Sequence, residues 1–124
     1  MTGESHRVKR VAELVRTHFT DLVRRELDDP ALSLLVVTNV EVTPDLSIAN
    51  IFVRLLSGDS EDARRSLLKR LRRATPMLRR ALAPRLSLRK APDLRFSYDT
   101  GHDAAQRVED LLGEIAREKS DPGD

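Results

Sequence analysis

Apolar residues recur near the start of the chain at three- and four-residue steps: Val8, Val11, Ala12, Val15, Phe19 and Leu22. That spacing draws one stripe along a helix. It predicts a helix from Ser5, a candidate N-cap, to about Leu27. Asp28-Asp29-Pro30 ends it, because the residue before a proline is pushed out of the α region. From Leu35 the period shortens to that of a strand. Val36, Thr38, Val40 and Val42 are expected on one side of a strand ending at Thr43, with Asn39 and Glu41 on the other. Pro44-Asp45-Leu46-Ser47 carries turn chemistry. From Ile48 to Leu56, Ala49, Ile51, Val53 and Leu55 alternate with Asn50, Phe52 and Arg54. Two such runs around a short polar connection predict an antiparallel hairpin with one buried face.

A second helical pattern follows Gly58. Asp59 or Ser60 can cap it, and Glu61 and Asp62 suit the positive end of its dipole. Ala63, Leu67, Leu68, Leu71 and Ala74 form the inner stripe. Thr75-Pro76 predicts a break, since an internal proline removes one hydrogen bond and clashes with the preceding turn. The same pair suits a restart, with Thr75 as N-cap and Pro76 as first helical residue. That helix reaches Leu82, or Leu86 if it passes Pro84, with Leu78 and Leu82 inward. After Ala91-Pro92, Leu94, Phe96 and Tyr98 alternate with Arg95 and Ser97 as a third strand, whose rings are expected in the core. Asp99-Thr100-Gly101 is a turn, and Thr100 or Asp103 caps a last helix to about Ala116.

The order α-β-β-α-α-β-α places helices on one face of a three-stranded sheet. This is a two-layer α+β domain. One domain is expected over residues 1–117, with a disordered polar tail over 118–124. A winged helix-turn-helix brings its helices first and its hairpin last, which is not the order here.

Charge changes the picture more than composition does. Hydrophobic residues are 40% and charged residues 34% of the chain, in keeping with a globular protein. No run approaches the ~18 apolar residues of a membrane span, and the N-terminus has no basic-then-apolar signal segment. The absence of cysteine excludes disulfides, thiolate metal sites and a cysteine nucleophile. A reducing, cytoplasmic setting is expected. Net charge is only +2, yet 12 of the 22 basic residues and one of the 20 acids lie between Ala63 and Arg95. That stretch carries +11 and the remainder −9. Such a cationic face collects phosphates and releases their counterions, the footprint of a nucleic-acid binder. The bland alternative is a pair of solvated amphipathic helices, with Arg64 and Arg65 paired to Glu61, Asp62 or a neighbouring acidic helix.

Catalytic signals are weak. His102-Asp103 is better read as a surface histidine beside a capping aspartate than as a metal dyad. The other imidazoles, His6 and His18, lie far off on helix one. There is no phosphate-binding GxxxxGK[ST] loop and no nucleophile elbow. No enzyme activity, metal or other cofactor is expected.

With its basic helix pair at the centre, the element order resembles the type II KH fold. The local sequences narrow this further. His6-Arg7-Val8, Asp29-Pro30, Val40-Glu41-Val42-Thr43-Pro44-Asp45-Leu46 running into Ala49, Leu78-Arg79, Leu88-Arg89 and the block from Ala91 to Asp99 together resemble the ribosome-binding factor A family. The resemblance spans roughly residues 5–116. It implies a monomeric, cytoplasmic assembly factor that binds the free, immature small (30S) ribosomal subunit and its 16S rRNA. It also implies a role in late maturation near the 5′ end of that RNA, and in growth in the cold. In that family an Ala-x-Gly kink replaces the usual Gly-x-x-Gly loop. The matching positions are Ala74-Thr75-Pro76, so the third departs from the pattern.

The expected RNA-binding residues are Lys69, Arg72, Arg73, Ala74, Thr75, Pro76, Arg79, Arg80, Arg89 and Lys90. A break at Thr75-Pro76 would offer the amides of Met77, Leu78 and Arg79 to phosphate. The acidic remainder could meet basic ribosomal proteins or repel RNA from the wrong face. Two rivals stand beside this reading: a basic protein–protein module meeting an acidic partner or a membrane-bound anion, and a duplex-DNA binder using helix 76–82.

Overall fold

The computed structural model describes residues 3–101, with side chains from His6 onward. The expected helix beyond Thr100 and the tail over 118–124 lie outside the described residues. The described elements run α1 (Gly3–Glu26), a 3-10 turn (Pro30–Leu32), β1 (Leu35–Val42), β2 (Ile48–Leu55), α2 (Glu61–Arg85) and β3 (Asp93–Tyr98). Helix α1 begins before Ser5, so Ser5 is not its cap. It ends ahead of Asp29, whose Oδ1 accepts the Ala31 amide at 3.0 Å and starts the 3-10 turn.

The sheet order is β1-β2-β3, with β1–β2 antiparallel and β2–β3 parallel. Both helices pack on one face of this mixed sheet, α1 mainly over β1 and α2 over β3. Between the layers, Val15, Phe19, Ile51, Val53, Leu71, Leu78 and Leu82 are sealed from solvent. The rings of Phe19 and Phe96 meet with centroids 5.7 Å apart. Tyr98 turns its hydroxyl inward to accept the Leu55 amide at 2.9 Å. The third strand therefore supplies core, as its alternation implies, rather than a stacking surface.

Strand β1 corrects the expected alternation. Its register slips between Val37, opposite Val53, and Asn39, opposite Phe52. Thr38 is the extra residue of a β-bulge, which reverses the facing of everything before it. Val37 and Val40 are buried, instead of Val36 and Thr38 sharing a face with Val40. Thr38 Oγ1 donates to Asp99 Oδ2 at 2.5 Å. Strand β2 also departs from a single buried face, because Asn50 and Phe52 are enclosed as well. As the central strand it has neighbours on both sides, Glu41 and Arg95 beside Asn50, Asn39 and Ser97 beside Phe52.

The larger correction concerns α2. It starts on Ser60, whose Oγ accepts the Ala63 amide at 3.2 Å, and continues through both Pro76 and Pro84 to Arg85. There is no second helix beginning at Thr75-Pro76. Thr75 is not an N-cap: its hydroxyl donates back to the Leu71 carbonyl at 3.0 Å, as threonines inside helices do. Pro76 and Pro84 both lie on the solvent side. There the carbonyls they leave without a backbone donor can turn to water, and a helix bent over its core is convex. Tertiary packing by Leu67, Leu71, Leu78 and Leu82 on either side of Pro76 outweighs the local preference for a break.

Helix α2 ends in a Schellman motif. The Leu88 amide donates to Ala83 O, and the Ser87 amide to Pro84 O, both at 3.3 Å. Ser87 occupies the left-handed position with φ 55°, where glycine is usual.

Candidate nucleic-acid interface

Helix α2 has two opposed stripes. Leu67, Leu71, Leu78 and Leu82 face the sheet. Lys69, Arg73, Pro76 and Arg80 follow at i, i+4, i+7 and i+11 on the opposite side, with Arg72 adjacent, and all five are exposed. At 1.5 Å per residue this cationic stripe is roughly 16 Å long. The helix is unbroken here, although Pro76 lies within the stripe. Its continuity removes Met77, Leu78 and Arg79 as phosphate donors, because amides inside a helix are bonded to the preceding turn.

Ion pairs sort the 12 basic residues of the 63–95 stretch. Arg65 meets Asp62 at 2.6 Å and Glu61 at 3.9 Å, as the spacing implies. Arg64 instead reaches Asp59 at 3.2 Å, with its guanidinium carbon 4.6 Å from the centre of the Tyr98 ring. Arg70 pairs with Asp29 at 2.7 Å, Arg85 with Asp21 at 2.8 Å, and Arg95 lies 3.8 Å from Asp93. The Arg70 and Arg85 hydrogen bonds hold the carboxyls of Asp29 and Asp21 below the usual carboxylate range. Arg79 is half-buried and donates Nε to Pro92 O at 3.1 Å and Nη2 to Ala91 O at 3.0 Å.

Six cations are then left with no bonded or ion-paired partner among the described residues: Lys69, Arg72, Arg73, Arg80, Arg89 and Lys90. All six are exposed. Each belongs to the set expected from the sequence. Of the other four expected residues, Pro76 lies within the stripe. Ala74 and Thr75 are half-buried on its flank, and Arg79 is occupied in joining α2 to the start of β3. Arg89 and Lys90 extend the cationic surface past the end of α2.

The long-range pairs Arg70–Asp29 and Arg85–Asp21 carry no local sequence signal, since 41 and 64 residues separate the partners. Among the described residues no group of three His, Asp or Glu side chains could hold a metal ion, and no helix is long and apolar enough to cross a membrane.

A family model described as ribosome-binding factor A matches residues 7–112. The chain belongs to this family. It is 46% identical over 117 residues to ribosome-binding factor A of Sorangium cellulosum, covering 93% of each chain. It superposes on the crystal structure of ribosome-binding factor A from Thermus thermophilus with a TM-score of 0.55. That alignment has 29% identity and covers 78% of this chain and 97% of the other. A further match is a Thermus thermophilus RbfA homology model fitted into the electron cryo-microscopy map of a 30S–RbfA complex. It has a TM-score of 0.50 and 27% identity, over 81% of this chain and 96% of that one. The two helices and mixed three-stranded sheet are the KH-like fold of these relatives.

Proposed function

We propose that this protein is a cytoplasmic, monomeric assembly factor without enzymatic activity. It binds the immature 30S subunit through 16S rRNA and assists late maturation of that RNA near its 5′ end, including in the cold. The observation that carries this reading is the set of six exposed cations on α2 and the segment after it that have no bonded or ion-paired partner among the described residues. Family membership supports the ribosome as target, and the 30S complex described for the Thermus relative supports the small subunit. Binding energy is the whole mechanism. Lys69, Arg72, Arg73, Arg80, Arg89 and Lys90 neutralise phosphates and release the counterions of the RNA, with no cofactor required. The factor leaves when mature RNA no longer offers the same strand.

Sedimentation with immature small subunits tests this directly. Co-migration of the wild type and its loss in Arg72→Glu/Arg73→Glu are expected, with the variant's melting temperature nearly unchanged. If all six cations meet phosphates on single-stranded RNA, log K falls against log salt with a slope of about −4. A slope near zero, or equal affinity for duplex DNA at matched salt, overturns the reading.

A further inference from the structure

A cleft of about 490 Å³ lies between the first half of α1 and the turn that ends α2. His6, Arg7 and Arg10 line it from α1, Leu86, Ser87 and Leu88 from the turn, and Val11 and Leu14 lie behind. Its size is that of small-molecule sites, which combine apolar walls with a few polar groups. Among the described residues no carboxylate lines it. Two other clefts, of about 320 and 260 Å³, carry Asp59 with Asp99, and Asp28 with Asp29. Arg54 and Arg64 offset the acids of one, and Arg24 those of the other in part, so neither carries the excess positive charge of the first. The charge of the first cleft therefore selects an anion, and its walls select one with an apolar, flat body.

Its place selects further. Leu88 leads straight into Arg89 and Lys90, so the cleft continues the cationic surface of α2 around the helix end. A strand lying on that stripe would reach the cleft with its next nucleotides. Unstacked bases in single-stranded RNA are gripped by aliphatic side chains, imidazole rings and guanidinium planes. The aromatic residues of this chain offer little elsewhere: Phe19, Phe52 and Phe96 are buried, and Arg64 covers Tyr98. Here exposed His6, Arg7 and Arg10 stand beside Leu14, Leu86 and Leu88. The strained Ser87, φ 55°, turns the chain from buried Leu86, at the floor of the cleft, to half-buried Leu88 on its wall.

We infer that this cleft seats one unstacked nucleotide of the RNA strand whose backbone runs along α2. The base lies against Leu14, Leu86 and Leu88, the His6 ring and the Arg10 guanidinium cover it, and Arg7 meets the adjoining phosphate. This rests on the RNA-binding reading above, and adds to it a base contact that the α2 stripe cannot make.

The test is an abasic scan. Single-stranded RNAs of roughly ten nucleotides, each lacking the base at one position, are titrated against the full chain. At one position, loss of the base weakens wild-type binding about tenfold, the scale of one stacked base. His6→Ala/Arg10→Ala, both exposed positions, reduces that difference to less than about threefold. Arg72→Glu/Arg73→Glu weakens every oligonucleotide but keeps the tenfold difference. Three outcomes separate the two readings. RNA binding with no base-dependent position, or with one that His6→Ala/Arg10→Ala leaves intact, overturns the nucleotide seat alone. No binding to any of the RNAs overturns both. Loss of the difference in the cleft variant and its retention in the stripe variant establish the seat.

Discussion

Arg79 joins α2 to the start of β3 by donating Nε to the Pro92 carbonyl and Nη2 to that of Ala91. It lies on the flank of the cationic stripe, yet its guanidinium is committed to the fold. Charged hydrogen bonds to half-buried carbonyls contribute roughly 1.5–3 kcal/mol each at most, and two that share one side chain contribute less than twice that. Arg79→Ala should lower unfolding stability by about 2 kcal/mol. In urea melts the midpoint falls and the slope stays constant. Lys69→Ala, on the exposed stripe, should move the midpoint little and RNA affinity more.

Pro76 is tolerated inside α2 rather than favoured by it. Replacing it with alanine returns an N–H to the Arg72 carbonyl and removes the ring's contact with the previous turn. Part of this gain is offset because alanine frees the unfolded chain. Pro76→Ala should raise stability by about 1–2 kcal/mol, read as a higher melting temperature. Pro76→Gly should gain less by about 1 kcal/mol, since glycine is the weaker helix former. A lower melting temperature in the alanine variant would mean that the bend at Pro76 is required by packing.

Ser87 holds a left-handed conformation that costs a residue with a Cβ roughly 1–2 kcal/mol. Ser87→Gly relieves it and should stabilise the domain by about 1 kcal/mol after allowing for glycine's greater freedom when unfolded. Differential scanning calorimetry would read this as an upward shift of several degrees.

Acid should weaken the domain through identifiable carboxylates. Asp21 is held down by its hydrogen bond from Arg85, Asp29 by Arg70, and Asp45 by bonds from Ser47 and Thr43 in the β1–β2 turn. Their folded-state values lie below the ordinary 3.8. The unfolded chain therefore binds protons first as pH falls. Their contribution is fully present above about pH 4 and disappears as pH drops through the lowered values. Urea melts between roughly pH 6 and pH 2 should show that fall, and Asp45→Asn should flatten it.

How far the sequence carried these conclusions depended on range. Periodicity located both strands of the hairpin, and the alternation of Leu94, Phe96 and Tyr98 placed the third strand in the core. The six cations with no partner among the described residues were all legible as candidates. What failed was local reasoning overruled at a distance. Proline at position 76 predicts a helix end, but leucines on both sides of it are held by the sheet. The bulge at Thr38 reverses half a strand through one inserted residue that no propensity marks. Arg70 and Arg85 are paired with aspartates on or just after α1, and Arg79 with carbonyls ahead of β3. Only the fold brings those partners near.

The parallel pairing of β2 with β3 has its own consequence. Two adjacent strands running the same way must be linked by a crossover, and here that crossover includes α2 itself. The helix proposed to bind RNA is thereby tied at each end to neighbouring strands of one sheet. On the proposed reading, docking leaves α2 in place between its two strands, and the RNA strand adapts to it.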